Sequence, residues 1–153
     1  MKDIQQHKYS AFDAALNYIT FKDRTFKEIY NKLKDKGYTE DDIETTICKL
    51  LEYKYIDDSR YAYSFIKDNI DKKGKTRITS ELINKGVSKS VIVDEMSKFE
   101  FCEEEAIEAE IRRKFGRVSF VDEKAKARVI GYFARRGFKY CDISRAISNL
   151  NQY

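Results

Sequence analysis

Apolar residues recur at helical spacing along the chain, and glycines punctuate that pattern at near-equal intervals. Alignment on Gly37, Gly86 and Gly137 leaves spacings of 49 and 51 residues. Before each glycine stand Ile29, Ile78 and Val129 at offset −8, then Leu33, Leu82 and Phe133 at −4. Tyr38, Val87 and Phe138 follow it directly. Ile43, Ile92 and Ile143 come at +6, Ile47, Met96 and Ile147 at +10, and Leu50, Phe99 and Leu150 at +13. These offsets put the apolar residues on one face of a helix before the glycine and one face of a helix after it. The glycine suits the position just past a helix end, where the left-handed conformation costs it little. Thr39 and Ser88 then stand as N-caps, and Lys139 is a weaker one.

A further helix precedes each pair. It is predicted over about residues 10–22, 58–73 and 102–115, with Phe12, Ala15, Leu16 and Ile19 on the inner face of the first. Thr25 and Glu28 form a capping box opening the middle helix of the first unit. The fold class expected is therefore all-α: tandem repeats of three-helix units, over residues 1–56, 57–100 and 101–153. Three short helices bury an apolar face poorly alone, so the units are expected to share a continuous core in an elongated, curved array.

Composition narrows the picture. Of 153 residues, 42% are apolar and 37% charged, with no proline and six glycines. So few turn-formers argue against a sandwich, a barrel or a Gly-rich nucleotide fold. No apolar run approaches the ~18 residues of a membrane span, and the first residues carry no apolar signal region. A reduced, cytoplasmic protein is expected, and with no coiled-coil heptads, a monomer. Cys48, Cys102 and Cys141 are far apart and lack CxxC spacing, and His7 is the single histidine. A disulfide framework, a zinc site, a catalytic set and a cofactor are all unexpected. Gly74-Lys75-Thr76 resembles the end of a phosphate loop, but the glycine needed earlier is Asn69 and no strand precedes it.

Charge changes the picture more. The net +4 divides into −4 over residues 1–110 and +8 over 111–153. Such a footprint fits an acidic partner such as nucleic acid. Lys124, Arg128, Gly131 and Arg135 fall on one stripe of a helix predicted over about 122–136, and Gly131 would admit a partner close to that helix. Arg112, Arg113, Lys114 and Arg117 follow Glu103, Glu104, Glu105, Glu108 and Glu110, an order that helix dipoles favour. Of those four bases, Arg117 lies beyond the helix and is the best placed for a partner, with Arg113 as a second candidate. Lys36, Lys85 and Arg136 suit the negative end of a helix. Lys72, Lys73, Lys75 and Arg77 cluster around Gly74 as a basic loop and a second candidate contact. Asp57, Asp58 and Arg60 read as a cap with an ion pair.

Three segments resemble the bacterial RecX family, regulators of the RecA recombinase. They are Tyr55-Ile56-Asp57-Asp58-Ser59-Arg60-Tyr61-Ala62, the run from Gly74-Lys75-Thr76-Arg77 to Lys85-Gly86-Val87, and the run from Lys126-Ala127-Arg128 to Arg135-Arg136-Gly137-Phe138 with Asp142-Ile143. The resemblance covers about residues 11–150 and preserves the order of the units. Tyr61 and Tyr132-Phe133 stand where the family also accepts other apolar residues, and the segment before the first helix is short. The resemblance implies tandem three-helix repeats and a role without chemistry. It implies binding to RecA, a position in the groove of the RecA–DNA filament, and limits on filament growth, ATP hydrolysis and repressor cleavage, hence on repair and the SOS response.

Two functional classes follow. The first is an interaction regulator that docks its basic residues on the RecA–DNA filament, with weak direct DNA binding as a possible addition. The second is a stand-alone helix-turn-helix DNA-binding protein. A base reader needs Arg, Lys, Asn or Gln at the start of its second helix, where the first unit has Thr39-Glu40-Asp41-Asp42. An enzyme is the weakest class.

Overall fold

A computed structural model describes residues 7–116 and 119–152. Among them every regular element is a helix. The first unit holds α1 (Ala11–Thr20), α2 (Phe26–Asp35) and α3 (Glu40–Glu52). The second holds α4 (Asp58–Asn69), α5 (Lys75–Asn84) and α6 (Lys89–Met96). The third holds α7 (Glu103–Lys114), α8 (Glu123–Arg135) and α9 (Tyr140–Leu150). The sequence repeat is thus a structural one.

The joint between the second and third helix is built alike in all three units. Gly37, Gly86 and Gly137 take φ of 85°, 88° and 83°. The residue after each donates its N–H back to the helix: Tyr38 to the Leu33 carbonyl at 3.2 Å, Val87 to Leu82 at 3.1 Å, and Phe138 to Phe133 at 3.2 Å. These bonds satisfy carbonyls that a helix end leaves orphaned. Thr39 and Ser88 cap the following helices, while Lys139 offers no side-chain cap. Both halves of the Thr25–Glu28 capping box are formed.

The core differs from expectation. Among the described residues there are three cores instead of one continuous core. Ile29, Leu33, Ile43 and Leu50 centre the first, Ile66, Ile78, Leu82 and Ile92 the second, and Ile107, Val129, Phe133 and Ile143 the third. Substantial helix–helix packing lies within units. The reason is visible at the junctions, where helix ends meet rather than helix faces, and ends carry unpaired backbone polar groups. The chain exposes 10554 Å², against about 8,100 Å² for a compact monomer of its mass. The array is therefore extended.

Candidate polyanion-binding cleft

The junctions set the site. At the first, the Thr25 hydroxyl at the start of α2 donates to the Lys85 carbonyl at the end of α5, at 2.6 Å. Phe26 N–H donates to Asp58 Oδ1 at 3.0 Å, and Lys85 Nζ pairs with Glu28 at 2.9 Å. At the second junction, Gly74 N–H at the start of α5 donates to the Arg136 carbonyl at the end of α8, at 2.8 Å. Arg77 Nη1 donates to the Arg135 carbonyl at 3.1 Å. A Cβ on Gly74 would collide with the Gly137 backbone, so this approach needs glycine. The middle helices α8, α5 and α2 thus meet end to end, the amino terminus of α5 on the carbonyls of α8 and that of α2 on the carbonyls of α5, with macrodipoles head to tail.

Beside the second junction lies a cleft of about 560 Å³. Lys72, Lys73 and Arg77 of the second unit form one wall. Arg113 of α7 and Tyr132, Arg135 and Arg136 of α8 form the other. Six cationic side chains face two carboxylates there, Asp71 and Glu110. Some of the cations are already held. Glu81 binds Lys73 and Arg77, each at 2.7 Å. Burial opposes its charged form, but the hydrogen bonds from Lys73 and Arg77 outweigh that and hold the carboxyl below its ordinary pKa. Glu110 binds Arg113 at 2.7 Å and accepts from the Tyr132 hydroxyl at 2.9 Å. Arg113 holds Glu110 below its ordinary value, against partial burial. Among the described residues, Lys72, Arg135 and Arg136 have no carboxylate within 4.0 Å. The Arg136 guanidinium instead lies 3.5 Å above the Tyr132 ring, with Lys114 Nζ 4.3 Å away from that ring. Such a cleft can take phosphates or carboxylates on its cations.

Five of the nine candidate residues meet here: Lys72, Lys73, Arg77, Arg113 and Arg135. The other four lie elsewhere or cannot be placed. Lys75 does not join Lys72 and Lys73 in a basic loop; it is in α5, and its ammonium lies 5.2 Å from the Phe101 ring on another side. Lys124 and Arg128 are exposed on α8 but do not line the cleft, which takes only Arg135 of the predicted stripe. Arg117 lies outside the described residues. At Gly131 the one atom close to an added Cβ is Arg135 Nη1 at 3.2 Å, the end of a flexible side chain lying over that position. Asp57 caps α4, but among the described residues Arg60 has no ion-pair partner; its guanidinium donates to the Lys54 and Tyr55 carbonyls at 3.2 and 3.3 Å.

Arg136 and Tyr132 were not among the sequence candidates. The helix-dipole reading of Arg136 hid it, although its guanidinium does reach back to the Tyr132 carbonyl at 3.3 Å. The signal for it is the i, i+4 spacing of Tyr132 and Arg136, which sets an arginine beside an aromatic ring on one helix face.

Among the described residues no group of three or more His, Cys, Asp or Glu is placed to hold a metal. None of their helices is long and apolar enough to cross a membrane.

Comparison with known proteins follows the repeat. Family models match in three places: RecX, first three-helix domain, over residues 11–50; the second over 57–94; the third over 103–147. A regulatory protein RecX of Clostridium acetobutylicum is 35% identical over 142 residues, 89% of this chain and 66% of that relative. The regulatory protein RecX of Vibrio parahaemolyticus is 34% identical over 140 residues, covering 91% of this chain and 90% of its own. The crystal structure of RecX from Lactobacillus salivarius matches with a TM-score of 0.75 at 24% identity, over 94% of this chain and 96% of that one.

Proposed function

Because the chain belongs to the RecX family of regulatory proteins, we propose that it binds RecA and the RecA–DNA filament and restrains filament growth. RecA ATP hydrolysis and its recombinase and coprotease activities fall as a result, which bears on DNA repair and the SOS response. The family supports the partner. The observation that carries the site is the cleft between the second and third units, where six cations face two carboxylates.

In this reading the cleft engages phosphates of the filament DNA or acidic surface of RecA. Lys72 and Arg135 make the first contacts, since no carboxylate holds them. Lys73, Arg77 and Arg113 follow by exchanging Glu81 and Glu110 for the partner's anions. Lys124 and Arg128, exposed further along α8, extend the contact. The extended array spans neighbouring protomers and hinders addition of the next.

The test is single-stranded-DNA-dependent RecA ATPase, measured while this protein is titrated in. The wild-type chain slows turnover, and the Lys72→Glu/Arg135→Glu double variant slows it less while keeping its helix content. Undiminished inhibition by that variant removes the cleft from the mechanism. Absence of inhibition by the wild-type chain removes the proposal itself. The base-reading alternative has little support: Glu40, Asp41 and Asp42 are exposed at the start of α3, where they repel phosphates.

A further inference from the structure

The repeat supplies an internal comparison, because equivalent positions can be followed from unit to unit. In the first unit, Tyr30 of α2 bridges to α3: its hydroxyl donates to Glu40 at 2.8 Å. Lys34 lies 3.8 Å from Glu40. The gap between the second and third helices is thus closed by an aromatic ring and finished with charges. In the third unit Ile130 occupies the Tyr30 position and packs on the core.

The second unit departs from both. Thr79 stands where Tyr30 does, and its hydroxyl turns inward to the Lys75 carbonyl at 2.9 Å. The gap stays open, as a groove of about 590 Å³ between α5 and α6 with Met96 and Phe99 in its lining. Its rim carries Ile83 and Val93, 39% and 67% exposed. The first unit places Lys34 and Glu44 at these positions. Exposed apolar side chains where a sister repeat has charges are unfavourable for a solvated face, and such rimmed patches mark interaction sites. Charge points to the occupant. Lys75 and Lys89 line the groove and no carboxylate does, although the chain carries 26 acidic residues. Lys89 itself replaces the Glu40 of the first unit.

We propose that this groove binds an acidic amphipathic helix of a partner protein. Its apolar stripe seats between α5 and α6, and its carboxylates pair with Lys75 and Lys89. This surface is separate from the cationic cleft, so the inference goes beyond the RecA reading and does not depend on it.

The test uses the full chain and a fluorescein-labelled synthetic helix with Leu at i, i+3, i+4 and i+7 and Glu at flanking positions. A second peptide carries Lys in place of Glu. Fluorescence anisotropy should show saturable binding of the acidic peptide and binding of the Lys peptide weaker by about tenfold or more. Val93→Glu, an exposed position that folding tolerates, should weaken the acidic peptide by about tenfold. Thr79→Tyr, which restores the ring of the first unit, should do the same at unchanged helix content. Lys72→Glu/Arg135→Glu should bind as wild type, which keeps this result distinct from that of the cleft. No saturable binding, equal binding of both peptides, or full affinity in Val93→Glu overturns the proposal. So does a concentration-dependent dimer lost in Val93→Glu, which would assign the groove to a second copy of this chain.

Discussion

Single residues decide how the units meet. Gly74 has no room for a methyl group, since the Gly137 backbone occupies that space. Gly74→Ala must separate the ends of α5 and α8 and stretch the Gly74–Arg136 hydrogen bond. It should destabilise the chain by about 2 kcal/mol, read as a lower urea midpoint. Gly116 is the control. It has positive φ but nothing within 4 Å of an added Cβ, so Gly116→Ala should cost about 1 kcal/mol from backbone conformation alone. Equal losses at both sites would mean that the close approach contributes little. At the other junction, burial disfavours ionised Glu28, but the Lys85 hydrogen bond and the Thr25 N–H outweigh it, so its pKa lies below the ordinary value. A depressed carboxylate stabilises the fold above its unfolded pKa, and that contribution is lost as pH falls through the folded value. The Glu28 hydrogen bond raises the Lys85 pKa against burial, so its share is present below its unfolded pKa and lost as pH rises through the folded one. Glu28→Gln should lower stability by about 1 kcal/mol at neutral pH, modest because solvent screens Lys85. The gap in melting temperature from wild type should close as pH falls from the ordinary carboxylate range through the lower folded value of Glu28. A pH-independent gap would show that the amide loses packing or capping rather than charge.

At the scale of the helix, the cleft is made by the ends of elements. The turn before α5, the end of α7 and the end of α8 each bring cations to one place. If these cations contact phosphates, binding to single-stranded DNA, alone or within a filament, depends on salt through the counterions released. The slope of log K against log[salt] should fall by about 0.7 for each contact removed. Lys72→Gln and Arg135→Gln should each show that loss, and Arg113→Gln should show less because Glu110 already holds its guanidinium. An unchanged slope in both of the first two would place the DNA contact elsewhere. The helices themselves were legible from the sequence because their signals are local: the Thr25–Glu28 box, the three glycines, the apolar offsets. The cleft was legible only in part. Lys75 follows Lys73 closely in sequence, yet α5 begins at Lys75, and helical rotation carries it to another side. Arg136 has the opposite history. Its position at a helix end suggests dipole complementarity, and only the neighbouring unit turns that helix end into a cleft wall. What was not legible depends on which ends meet, and no periodicity within one unit encodes that.

For the whole molecule, the separation into three cores has a thermodynamic consequence. A repeat array is stabilised by each unit and by nearest-neighbour junctions. Here the junctions are hydrogen bonds and an ion pair between helix ends, whose net contributions are about 1 kcal/mol each. The apolar burial lies inside the units. A defect in one core should therefore stay largely in that unit. Leu33 is 1% exposed at the centre of the first core, and Leu33→Ala should cost that unit about 2–5 kcal/mol. Native-state hydrogen exchange resolves where the cost falls. Amides of α1–α3 should lose protection by the full amount, and those of α4–α6 by a fraction set by the Thr25–Lys85 and Glu28–Lys85 junction. Amides of α7–α9 should keep theirs, since no residue of the first core packs into the third. Uniform loss across α1–α9 would mean that the polar junctions couple the units as strongly as a shared core. The same independence lets the second unit keep its open groove: in a continuous core, replacing Tyr30 by its counterpart Thr79 would leave a cavity, whereas between end-joined units it leaves a surface.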